Sequence, residues 1–156
     1  MHKIWSSQLS NNLKVKNFRA TKEPILLYGS ETWRLSRKLE KRLDGTYTRL
    51  LRRAQNLSWK SHPSISQIYN KLPRVSSLVK YRRVQLAGHC FCADAEVISS
   101  LLLWRPSYGQ SRRRKLSFPD VISRDTGLST EDLKTAMRDR NVLSDIVQSM
   151  VATAVE

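Results

Sequence analysis

Residues 36–57 constrain the fold more than any other stretch of the chain. Placed at about 100° per residue, Leu35, Leu39, Leu43, Tyr47, Leu50, Leu51, Ala54 and Leu57 fall on a single apolar stripe. That is the period of an amphipathic helix of about five turns, not of a strand. A stripe of this length has to be covered by other apolar surface, so it calls for helical partners. Gly45 is a weak point of the helix, disfavouring it by about 1 kcal/mol relative to Ala.

The remaining segments carry helical punctuation too. A first helix is expected over residues 9–27, bent near Pro24, followed by a turn at Tyr28-Gly29-Ser30. Ser64 with Gln67 three residues on is a capping-box pattern for a short helix from Ile65 to Leu72, which Pro73 closes. Another helix is expected from Ser76 to about Cys90, with Val75, Val79 and Leu86 on one side. Asp94 can cap a further helix with Val97, Ile98, Leu101 and Leu102 on its buried side, ending near Trp104. The segment 105–117, RPSYGQSRRRKLS, reads as a loop. Ser129 and Asp132, flanked by Leu128 and Leu133, form a cap plus a hydrophobic staple for a helix from Thr130 to about Asp139. A last helix carries Leu143, Ile146, Val147 and Met150. No internal repeat and no alternating strand run is present. The expected class is all-α: a small multi-helix bundle over residues 1–90 and a shorter helical segment over 91–156.

Charge is what separates this chain from an ordinary helical domain. The 156 residues carry a formal net charge of +15, and a surplus of that size repels itself unless an anionic partner is available. It is concentrated: residues 31–83 hold fourteen basic and three acidic side chains, for +11, while residues 116–156 hold four and seven, for −3. On the predicted helix, Arg34, Arg37, Lys38, Lys41, Arg49 and Arg52 lie opposite the apolar stripe, with Arg42 and Arg53 at its edge. A ridge of this kind neutralises phosphates and binds with steep salt dependence. The plainer reading is a solvated face, but such faces mix both signs and this one has only Glu40 and Asp44 at its flank. Arg82 and Arg83 add charge downstream. Arg112, Arg113, Arg114 and Lys115 in the loop fit a second phosphate contact, a nuclear-import patch, or an exposed run without function.

Other chemistry is sparse. His89, Cys90 and Cys92 are suitable zinc ligands, but a structural site needs four, and His2 and His62 stand far off; small residues at a helix end are the simpler account. Trp33, Trp59 and Trp104 read as core residues, unless one is exposed beside the basic face, where it could stack a base. No glycine-rich phosphate loop, no zinc-protease signature and no convincing nucleophile motif occurs. The acidic residues of the basic three quarters are scattered singly, whereas two-metal nucleotidyl transfer needs them clustered. No catalytic residue, metal, cofactor or small-molecule substrate is therefore expected. Cys90 and Cys92 are too close in sequence to staple a fold, which suits a reducing compartment. The N-terminus lacks a signal-peptide pattern, and no stretch approaches the roughly 18 apolar residues of a membrane span. The expectation is a soluble, intracellular chain without a membrane role.

The segment LLYGSETWRLSRKLEKRLDGTYTRLLRRA, residues 26–54, resembles the region just after the polymerase palm in reverse transcriptases of non-long-terminal-repeat (LINE-type) retrotransposons. Upstream KNFRATKEPILLYGSETW, and downstream LPRVSSLVKYRRVQLAGHC, LLLWRPSYG and DTGLSTEDLKTAMRDRN, are similar to that family in the same order. The resemblance covers nearly the whole chain, and YGSETW is its most specific part. Three places depart from it: no Gly-Arg-Pro element follows Gly109, Leu143 stands where an aromatic is common, and Phe91-Cys92-Ala93 replaces a more basic stretch. The resemblance implies a thumb-like module over residues 1–90 that grips an RNA–DNA hybrid or DNA duplex by its backbone, in the nucleus or the cytoplasm. It also implies that the palm with its catalytic aspartates lies before Met1, as a missing partner domain. On that footing the chain binds without catalysing RNA-directed DNA synthesis on its own. From a different class, the +11 segment could dock on an acidic protein surface, or the chain could be a transposon remnant without function.

Overall fold

The computed structural model describes residues 2–92, 96–105 and 116–152. Among these the regular structure is helical and contains no strand: α1 (His2–Trp5), α2 (Asn11–Thr21), α3 (Glu23–Leu26), α4 (Arg37–Ala54), α5 (Ile65–Tyr69), α6 (Val75–Cys92), α7 (Glu96–Leu102), α8 (Phe118–Thr126), α9 (Thr130–Arg138) and α10 (Arg140–Ala152). The all-α class expected from the hydrophobic period is the one observed. Two units form, one up to Ser76 and one from Ser77. The division falls inside α6, upstream of the 90/91 position read from the sequence.

In the first unit the chain bends where proline requires it. Lys22 ends α2 and starts α3, and Pro24 occupies the first turn of α3, where its missing N–H leaves no hydrogen bond unmade. Gly29 then adopts φ 66°, a left-handed conformation that glycine enters without strain, and a single 3-10 turn over Ser30–Thr32 delivers the chain to α4. Ser36 caps α4, its Oγ accepting from the Leu39 N–H at 3.4 Å. The buried side of α4 is Tyr47, Leu51 and Ala54, and Phe18, Leu27, Leu35, Ile68 and Tyr69 are buried in the same unit. Phe18 meets Tyr47 edge-on, with ring centroids 5.4 Å apart, an arrangement that adds to simple burial. At Ser64 the expected capping box is present: Ser64 Oγ accepts from the Gln67 N–H and Gln67 Oε1 accepts from the Ser64 N–H.

The second unit is built on the downstream part of α6. Val84, Ala87, Ile122, Leu133, Met137 and Val147 form its buried cluster. Gly88 is buried because α10 brings Leu143 against it: a Cβ at that position would stand 2.0 Å from Leu143 Cδ2. The Ser129 cap of α9 is formed as expected, with Ser129 Oγ accepting from the Asp132 N–H at 3.2 Å. Helix α8, however, has no counterpart in the sequence reading. It is capped by Asp120, whose Oδ2 accepts from the Ser117 N–H and Oγ–H. Helix α7 also differs from expectation. Val97 and Leu101 are two-thirds exposed and Ile98 is exposed as well, since only Leu102 of that apolar side reaches the cluster.

Candidate nucleic-acid interface

The basic ridge on α4 is positioned by what anchors the opposite face. Tyr47 is buried, and its hydroxyl donates to Glu23 Oε2 at 2.5 Å, pinning α4 to α3. Burial first, and then this hydrogen bond and the carboxylate's charge, raise the Tyr47 pKa well above the ordinary tyrosine value. Tyr69 is raised in the same direction, chiefly by burial, and its hydroxyl lies 2.9 Å from Thr48 Oγ1. Gln55 Nε2 donates to the Ile68 carbonyl at 2.7 Å. Asp44, one of the few anions on the segment, accepts from the Ser76 N–H and Oγ–H, both at 2.9 Å. Its charge is thereby drawn to the N-terminus of α6, where a carboxylate is favourable.

The exposed face of α4 is consequently cationic. Arg34 ahead of the helix, and Arg37, Lys38, Lys41, Arg42, Arg49 and Arg53 along it, are all exposed. Arg52 is half-buried and donates to the Ser58 carbonyl at 3.2 Å, which ties it to the loop after the helix. The two edge residues have distinct settings. Arg53 lines an open cavity of about 630 Å³ together with Trp5, Phe18, Lys22 and Leu57, whereas Arg42 lines a shallower cleft with Trp33 and Arg34. Arg74, which helical periodicity could not place because it precedes α6, stands with Lys41 and Gly45 around a third, smaller cleft. The clue to it was the charge count over residues 31–83; its position on the ridge side needed the fold.

Arg82 and Arg83, also expected to meet phosphate, belong to the second unit. Arg83 is 1% exposed and its guanidinium is paired with the Asp125 carboxylate inside the second unit. It follows Val79 and precedes Ala87 by four residues on the buried side of α6, so it is a core residue and unavailable to phosphate. Arg82 beside it is half-buried. Arg112, Arg113, Arg114 and Lys115 lie outside the described residues. Of the tryptophans expected in the core, Trp33 is half-buried and Trp104 is exposed, while the Trp59 side chain lies outside the described ones.

His89 is exposed and Cys90 and Cys92 are half-buried, and the Cys92 thiol donates to the Met137 carbonyl at 3.0 Å. Among the described residues no group of three or more His, Cys, Asp or Glu side chains is placed to hold a metal ion, and no helix is long and apolar enough to cross a membrane. No family model, curated protein or solved structure matches the chain.

Proposed function

We propose that the first unit binds the phosphate backbone of a nucleic-acid duplex through α4, as the non-catalytic, thumb-like part of a reverse transcriptase of the LINE type. The observation that carries this reading is the row of exposed cations at Arg34, Arg37, Lys38, Lys41, Arg42 and Arg49 on a helix anchored from behind by Tyr47 and Asp44. Lys and Arg without Asn or Gln neighbours favour phosphate over base edges, so recognition should follow charge and duplex shape rather than sequence. The catalytic step would belong to a palm domain. With primer–template, Mg²⁺ and deoxynucleotides, this chain should give no extension.

Fluorescence anisotropy with an RNA–DNA hybrid hairpin across a salt series tests the reading. Each phosphate neutralised contributes roughly 0.7–0.9 to the slope of log affinity against log salt. Changing Lys38, Lys41 and Arg49 to Glu should lower that slope by at least about two and weaken binding at every salt concentration. Affinity that ignores both salt and the triple change would sink the proposal. A second reading, docking on an acidic protein, is favoured by one observation: Leu39, at the ridge's apolar border, is exposed. In that case Leu39→Ala would weaken capture of the partner more than any single ridge change.

A further inference from the structure

The apolar stripe of α4 is not uniformly covered. Its C-terminal half is buried at Tyr47, Leu51 and Ala54, but Leu39 is 44% exposed and Leu43 only half-buried. At this end the chain enters the helix through Trp33, whose N–H donates to the Ser30 carbonyl at 3.1 Å. That bond and the preceding 3-10 turn fix the Trp33 backbone. Trp33, Leu39 and Leu43 line a cleft of about 460 Å³, together with Arg34, Arg42 and Thr46. The cleft is shallow and open to solvent, as a site for one base of a longer strand would be. The cleft lining contains no acidic residue. An indole and two leucines would take the face of a planar, uncharged ring, and two guanidinium groups beside them would take an anion. A nucleotide joins those two chemistries in one group, and aromatic–arginine grooves hold single strands in this way without reading sequence.

We propose that this cleft accepts one unpaired nucleotide at the end of a bound duplex, its base against Trp33 and Leu39 and its phosphate beside Arg34 and Arg42. The inference rests on the duplex-binding reading and refines it, because the cleft shares Arg34 and Arg42 with the ridge. The chain would then prefer a junction between paired and unpaired strands over a blunt end.

The test compares the intact chain on a blunt RNA–DNA hybrid hairpin and on the same hairpin with a four-thymidine overhang, placed on each strand in turn. One overhang should tighten binding about tenfold, as stacking one base does in such grooves. Leu39→Glu alters a partly exposed position and sets a carboxylate in the cleft, and its unfolding midpoint is compared with the parent's. This change should abolish the overhang gain. Trp33→Leu should abolish it too and Trp33→Phe retain most of it, with unfolding midpoints measured for each. If the blunt hairpin binds and neither overhang adds affinity, or the gain survives both Leu39→Glu and Trp33→Leu, this inference is overturned while the ridge reading stands. If no hairpin binds at all, both fall.

Discussion

Helices α4 and α6 are both eighteen residues long and both carry arginine pairs, yet they use charge in opposite ways. In α4 the cations ring one exposed face while Tyr47, Leu51 and Ala54 go inward. In α6, Arg83 goes inward with Val79, Val84 and Ala87. The difference is the counter-charge. Arg83 has Asp125, whose side chain is as fully buried as its own, and the exposed row on α4 has water. A guanidinium enters a core only when a carboxylate and hydrogen bonds replace its hydration. The presence of arginine in a helix therefore says nothing about nucleic acid until its surroundings are known.

The largest expected effect would break this comparison directly. Asp125→Ala leaves the Arg83 charge buried without its carboxylate and should destabilise the second unit by about 3–5 kcal/mol. Arg49→Ala, on the exposed face, should stay within about 0.5 kcal/mol of the parent. Denaturant unfolding followed by circular dichroism measures both. Equal effects would mean that the two helices do not differ in how they hold charge.

Next in size is the anchor behind the ridge. Tyr47→Phe removes the donor to Glu23 and leaves a mostly buried carboxylate short of a partner, for about 1–3 kcal/mol. Arg19, 3.7 Å from Glu23 and half exposed, can offset little of that. The same hydroxyl makes stability depend on pH. Its folded pKa is raised above the ordinary 10.0, so the folded chain keeps a proton that the unfolded chain gives up. The stability it contributes is full below pH 10 and drains away as pH rises beyond it. Tyr69 shifts in the same direction, so Tyr47→Phe should reduce the alkaline loss and not remove it. An unchanged alkaline profile would show that the Tyr47 hydroxyl does not anchor α4.

The parts of this fold legible in the sequence are those set by neighbours along the chain. The α4 stripe, the Ser64–Gln67 box, the Ser129 cap and the bend at Pro24 each depend on residues within a few positions of one another. Arg83 was not legible because Asp125 lies 42 residues away, and nothing in the local pattern of α6 distinguishes it from a ridge arginine. Helix α8 was hidden for a different reason: nine residues, with Pro119 among them, give too few turns for its apolar side to repeat along the chain. Its real signals were Ser117 with Asp120 three residues on, and Gly127 just past its end. For α7, periodicity correctly marked an apolar side, but it cannot say whether anything covers that side. The same limit applied at the start of α4, where the sequence placed Leu39 in the core and the fold left it at the edge of a cleft.

The smallest effects discriminate most sharply, because one substitution is expected to act with opposite sign in the two helices. Gly45 sits on the cationic face of α4, exposed, with no atom within 4 Å of where a Cβ would project. Neither packing nor an unusual backbone angle requires glycine there, so Gly45→Ala should stabilise by about 1 kcal/mol by removing backbone freedom from the unfolded chain. Gly88, buried in α6, faces Leu143 Cδ2 at 2.0 Å from the same hypothetical Cβ. There the added methyl must displace the end of Leu143, and the overpacking should destabilise by about 1–3 kcal/mol despite the gain in helix propensity. Thermal melts should separate the two, since 1 kcal/mol moves the midpoint of a unit this size by about 4–8 °C. If both substitutions stabilise, Leu143 does not seat against Gly88 and α10 does not close on α6 at that point. If both destabilise, the α4 face at Gly45 is covered in solution, and the ridge is not the open surface that duplex binding requires.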